Sequence, residues 1–177
     1  IQILDSYGDE GFRLLKKWGG EGVAVFGEHG ADVVWIFNRH GDDAVRVLIK
    51  HPGIGKQFID QFGGAGVSLA KRMDTDDLIT LLIWLKTVPQ KDAIAVLTRI
   101  APLSGGHKIA GQLLPLLDAK HLATLDRILR GKTYSPTMLD DIVKLARPNL
   151  SNEAIGELLE ELAQAALNGR RLDGIVL

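Results

Sequence analysis

The chain has no cysteine, which excludes disulfides, thiol nucleophiles and cysteine-ligated metal sites. An excess of one charge is missing as well. Twenty-one Lys and Arg stand against 22 Asp and Glu, and the net charge of −1 gives no global attraction to nucleic acid or acidic membranes. The longest strongly apolar stretch, Leu78 to Leu85, falls far short of the roughly 20 residues that a membrane-spanning helix needs. No sequence motif for catalysis, metal binding or nucleotide binding rises above background. What remains is the composition of a folded protein, 46% apolar and 24% charged, over 177 residues, enough for one domain or one extended repeat domain.

The organised feature is an 11-residue register. Gly8, Gly19, Gly30, Gly41, Pro52, Gly63 and Asp74 are evenly spaced, and each can break or cap a helix. The third position is usually acidic (Glu10, Glu21, Asp32, Asp43, Asp76). The ninth and tenth are often basic (Lys16, Lys17, Arg39, Lys50, Lys71, Arg72). Acid first and base last is the polarity a helix macrodipole favours. Positions four, seven, eight and eleven are apolar or small, as in Gly11, Leu14, Leu15 and Trp18, and this spacing draws one stripe along a helix. Position five (Phe12, Val23, Val34, Val45, Val67) widens the stripe.

About eight helical residues per unit make a rod of roughly 12 Å, too short to be stable alone in water. Stability must come from neighbours, as in stacked repeat proteins. A single long helix of 11-residue period is the competing reading. It is disfavoured because each interior glycine costs about 1 kcal/mol relative to Ala and Gly63, Gly64 and Gly66 fall together. The expectation is short helices joined by glycine turns, with antiparallel neighbours forming pairs of 22 residues. The register frays at Pro52 to Gly55, where Lys56 takes position five, and a bend is expected there.

From Asp74 onward the period is lost while the helical pattern persists. Asp74, Asp76 and Asp77 supply a cap and first-turn acids for a helix running to about Thr87 and stopped by Pro89. Further helices are predicted at about 91–100, 106–114, 119–130, 136–146 and 151–167, punctuated by Pro102, Gly105, Pro115, Gly131, Pro136, Pro148 and Gly169. Ser151 begins the last of them. The fold class predicted is all-α: a solenoid-like array of short helices over 1–84, a region of longer helices in pairs or a bundle over 85–168, and a linker or strand start over 169–177.

Few residues suggest chemistry. His29, His40 and His51 share position eleven and would align along a stacked array as a candidate metal or proton-sensing ladder. Trp18, Phe62 and Met73 hold the same slot in sister units, so a bulky anchor near a helix end is the plainer reading. Trp18 and Trp84 fall on the apolar stripe. Trp35 instead holds position six, where other units carry Arg13, Arg46 and Gln57, and is the candidate binding residue. The basic stretch Lys120, His121, Arg127, Arg130 and Lys132 reads as a solvated helix face. Ser104 to Lys108 lacks the spacing of a phosphate-binding loop. Asp173, before the apolar run Ile175 to Leu177, is the sole candidate catalytic acid; it resembles the first metal-binding acid of restriction-endonuclease-like nucleases, without the acid-x-Lys partner that completes such a site.

The units Gly8 to Trp18 and Gly41 to His51 (Gly-Asp-Asp-Ala-Val-Arg-Val-Leu-Ile-Lys-His) resemble the short Gly-Asp-Glu-Ala-Val repeats of large bacterial proteins, some of them similar to polymorphic toxins. The resemblance covers about residues 7–84. It implies a segment of a longer bacterial polypeptide, cytoplasmic or secreted, as does a chain that begins on Ile1 and ends on an apolar run. Function is then expected to be that of a non-enzymatic helical scaffold or protein-binding domain. The alternatives are the helical region before a nuclease-type effector, or an amphipathic domain that associates with membranes, suggested by a mean hydropathy of +0.09. The expected partner is a protein; no cofactor, metal or small-molecule substrate is inferred, and nucleic acid and membrane are disfavoured.

Overall fold

A computed structural model describes residues 2–131, 143–144 and 151–167. The predicted helix at 136–146 and the segment 169–177 lie largely or wholly outside them. The described residues are helical throughout, joined by turns, with no strand among them. The chain divides into two compact units, Ile1–Lys71 and Arg72–Leu177.

In the first unit, α1 runs Gln2–His29, α2 Asp32–His40, α3 Asp42–Lys50 and α4 Gly55–Ala70. Two of these are broken rather than continuous: α1 leaves helical geometry at Gly8 (φ 55°, ψ −146°) and Gly19 (φ 53°, ψ −130°), and α4 at Gly63 (φ 54°, ψ −132°). Gly30 and Gly41 also have positive φ, of 57° and 72°. This region of backbone space is essentially closed to residues with a Cβ. The chain therefore turns at the glycines that set the 11-residue register. Gly41 does so in one residue: its N–H donates to the Phe37 carbonyl at 2.7 Å, ending α2, and its own carbonyl accepts from Ala44 N at 3.2 Å as α3 begins. Pro52 cannot take positive φ. The break there passes to Gly53 (φ 78°), inside a turn that delays α4 to Gly55.

The glycines at position four have a different cause. A Cβ at Gly55 would lie 2.9 Å from the Val47 carbonyl oxygen, and one at Gly66 would lie 2.8 Å from that of Phe58. Position four of one unit thus rests on the backbone at position seven of the unit before. Gly22 sits likewise over Leu14 and Trp18. Val33 and Ala44 hold this position in α2 and α3 and are buried. Position seven is buried in every unit, by Leu14, Val25, Ile36, Val47, Phe58 and Leu69.

Polar contacts between units recur in register. Lys17 (position ten) pairs with Asp42 (position two), and Glu28 accepts from the Gly53 N–H at 2.6 Å between the same two positions. Glu10 accepts from Asn38 at 3.2 Å, and Asp43 from Lys71 at 2.7 Å, both linking position three to position nine. These offsets are 25 and 28 residues rather than the 22 of a simple helix pair. These contacts join units two and three apart. Lys56, the residue that disrupts position five, reaches Asp60 at 2.7 Å and Asp32 at 3.2 Å. Hydrogen bonds to Asp60 and then Asp32 raise its pKa above the usual lysine value.

In the second unit, α5 (Thr75–Trp84) and α6 (Gln90–Ile100) are followed by a three-residue turn, α7 (Gly106–Lys108), a π-helical turn (Ile109–Leu113) and a 3-10 turn (Leu114–Leu116), then α8 (Ala119–Gly131) and α9 (Asn152–Leu167). The expected uniform helix over 106–114 widens instead. Pro115 has no N–H for the Gly111 carbonyl and its ring would crowd it, while Asp77 presses so close to Gly111 that a Cβ there would lie 2.8 Å away. Asp74 precedes α5 as expected, but its side chain makes no capping hydrogen bond. Ser151 does cap α9, accepting from Ala154 N at 3.2 Å. Arg72 closes the end of α6 by donating to the carbonyls of Ala101 at 2.7 Å and Leu103 at 3.0 Å. Trp84 is buried on the stripe, its indole N–H donating to Leu117 O at 2.6 Å.

A glycine that breaks a helix and a glycine that lies free within one predict opposite effects of adding a methyl group. Gly41→Ala meets no steric neighbour but forces positive φ on alanine, and should cost about 1–3 kcal/mol in urea unfolding. Gly27 has ordinary helical φ and open space around it, so Gly27→Ala should stabilise by up to about 1 kcal/mol. Equal effects of the two changes would show that the breaks are not what the glycines are for.

Candidate functional site

The most distinctive exposed chemistry lies on α2. Trp35 is 52% exposed, an uncommon position for the largest apolar side chain. Arg39, one turn further along the same helix, places its guanidinium carbon 5.1 Å from the centre of the indole ring. The His40 ring stands edge-on to the same indole at 6.4 Å. An Arg over an exposed indole is worth roughly 0.5–1 kcal/mol. The resulting face pairs an exposed aromatic ring with a cation, residue types enriched among the anchors of protein interfaces. A second aromatic and cationic group forms where Lys17 and Arg46 approach Trp18, at 5.9 and 5.6 Å from its ring centre. Trp18 is half-buried and its Nε1–H has no acceptor among the described residues.

The three histidines of position eleven have different surroundings. His51 is fully buried, its Nε2 2.9 Å from the Ala70 carbonyl. His40 lies against Gly63 and Trp35, and His29 keeps its Nε2 3.6 Å from Glu28 Oε1. Among the described residues no group of three His, Asp or Glu side chains is placed to hold a metal ion. Partial burial and then the neighbouring Arg39 charge depress the His40 pKa below the ordinary imidazole value.

The basic stretch of the second unit is largely engaged. His121 is buried against Gly156 of α9, where no Cβ would fit, and its backbone N–H donates to Asp118 at 2.9 Å. Asp118, exposed, is held below the usual carboxylate range chiefly by that hydrogen bond. Arg99 on α6 and Arg130 reach the two oxygens of Asp126, at 2.8 and 2.5 Å. Burial pushes the Asp126 carboxyl up, but the hydrogen bonds from Arg99 and Arg130 outweigh it and leave the group ionised. Arg127 remains exposed, while Lys132 and the candidate acid Asp173 lie outside the described residues. At Ser104 to Lys108, Gly106 is buried and the Ser104 carbonyl accepts from Arg72 at 3.3 Å. No helix among the described residues is long and apolar enough to cross a membrane.

The Arg99–Asp126–Arg130 bridge, which ties α6 to α8, was not visible in the sequence because Arg99 and Asp126 are 27 positions apart and share no motif. The chain matches no protein-family model, no curated protein and no solved structure.

A histidine of depressed pKa stabilises the fold while neutral, and that stability is lost as pH falls below about 6.5, where the unfolded chain takes up its proton first. His40→Phe, which installs the residue of the sister position Phe62, should therefore flatten the fall of the melting midpoint between about pH 7.5 and 5 relative to the parent protein. A parallel shift of both curves would show that His40 carries no such linkage.

Proposed function

We propose that the first unit is a solenoid-like stack of 11-residue helices and that the protein is a non-enzymatic scaffold whose Trp35 face binds another protein. The observation that carries this reading is the exposed indole of Trp35, backed by Arg39 on a helix fixed by buried Val33 and Ile36. The recurrence of the same register positions in contacts 25 and 28 residues apart supports the stacked arrangement. A rigid aromatic anchor with an adjacent cation suits a partner that offers an apolar pocket beside a carboxylate.

The test uses a photoreactive phenylalanine analogue in place of Trp35 to capture the partner, followed by binding of that partner, purified, to the parent protein and to Trp35→Ala. Since the side chain is more than half exposed, Trp35→Ala should leave the melting midpoint nearly unchanged while weakening binding at least about tenfold. Equal binding by the two proteins, or turnover of a substrate by the purified chain, contradicts the proposal.

A further inference from the structure

Position five changes character along the first unit. Phe12 and Val23 are 54% and 51% exposed and Val34 is half-buried, whereas Val45 and Val67 are 1% and 5% exposed. Position eleven follows the same course less strictly: Trp18 and His40 are half-buried and His51 and Phe62 buried, while the His29 side chain is already covered. At position eight, Leu15 and Phe37 are half-buried and Leu48, Ile59 and Ala70 buried. The dividing line falls between the third and fourth repeats, at Gly41. Beside the contacts of neighbouring helices, polar contacts in this unit join repeats two and three apart, so residues 41–70 have the helices of 8–40 before them.

One exception explains the rule. Phe26, at position eight of the second repeat, is buried, and the ring stacked on it at 5.2 Å is Tyr7. Tyr7 is itself a position-eleven residue, and it lies against Gly30 as His40 lies against Gly63. Where a side chain of the preceding register is present, the slot beneath it is closed.

From this we infer that the exposed surface of the first three repeats, centred on Phe12 and Val23, is an open stacking face whose occupant is a further helical segment of this same 11-residue pattern, in the register that Tyr7 begins. The inference rests on the stacked-array reading above. The charge pattern fits that occupant. Asp9 stands exposed at the position where Asp42 takes Lys17, and Lys16 stands exposed at the position where Lys71 takes Asp43. A helix with an acid at its third position and a base at its tenth meets both, while its bulky seventh and eleventh residues cover Phe12, Val23 and Trp18. A charged or purely polar helix leaves these apolar side chains wet, and their burial is the gain that stacking offers.

The chain's lack of cysteine makes the face readable by single thiols. Val23→Cys and Val45→Cys are prepared in the full chain. Each is also prepared in a chain whose residues 1–7 are replaced by a second copy of residues 8–40, so that the added equivalent of His40 stands where Tyr7 stood. A control extension carries Ser at the added positions seven. Maleimide labelling of Val23→Cys should slow at least about tenfold in the in-register extension and remain fast in the control, with Val45→Cys labelled slowly in every protein. Fast labelling of Val23→Cys in both extensions, with Val45→Cys still slow, overturns the stacking face and leaves the array standing. Fast labelling of Val45→Cys in the unextended chain overturns the array itself. If Val23→Cys in the unextended chain is protected as protein concentration rises, and Phe12→Glu abolishes that protection, the face belongs to a second copy and the inference is likewise overturned.

Discussion

A helix of two turns cannot hold itself together in water, and everything in the first unit follows from that. The nucleation cost of helix formation is recovered only over longer runs, yet the chain breaks its helices at Gly8, Gly19, Gly30, Gly41, Gly53 and Gly63 by sending each into a backbone region that a Cβ would forbid. The breaks remove helical continuity and in exchange bring backbones close: the glycines at positions 55 and 66 seat one helix on the carbonyl of the helix before. Packing between repeats, through buried position seven and the ion pairs two and three repeats apart, supplies what local helix propensity lacks.

The second unit meets the same requirement by ordinary means. Its helices are long enough to bury a full face: α8 covers Leu122, Leu125 and Ile128, and α9 covers Ile155, Leu159 and Leu162. Its polar links are specific rather than periodic. Arg72 satisfies the carbonyls at the end of α6, the Trp84 indole satisfies Leu117, and Asp126 holds two guanidiniums at once. Each removes an unpaired polar group that would be costly beneath the surface.

Where structure depends on one residue's own backbone, it was legible in the sequence. The glycine register announced the breaks because only glycine takes positive φ cheaply, and Ser151 announced the start of α9. Pro89 and Pro102 announced the two ends of α6. What depends on distant neighbours was not legible: the 25- and 28-residue offsets, the closing of position five beyond Gly41 and the Arg99–Asp126 bridge are set by how helices pack. The π-helical turn at Ile109–Leu113 combines both, since Pro115 signals a disturbance but Asp77 against Gly111 decides its form. Trp35 stood out because it broke the pattern of its own register position. The histidines stood out by repeating at one register position, where their surroundings nonetheless differ.

The most direct test of the central claim compares helicity in isolation and in context. A peptide spanning residues 30–51 contains two complete repeats, each with its acid, base and apolar stripe, but none of the repeats two and three positions away. Far-ultraviolet circular dichroism at about 25 °C should show it largely unstructured, whereas the full chain is strongly helical. A peptide that folds into stable helix by itself would contradict the account, because the short helices would then need no neighbours.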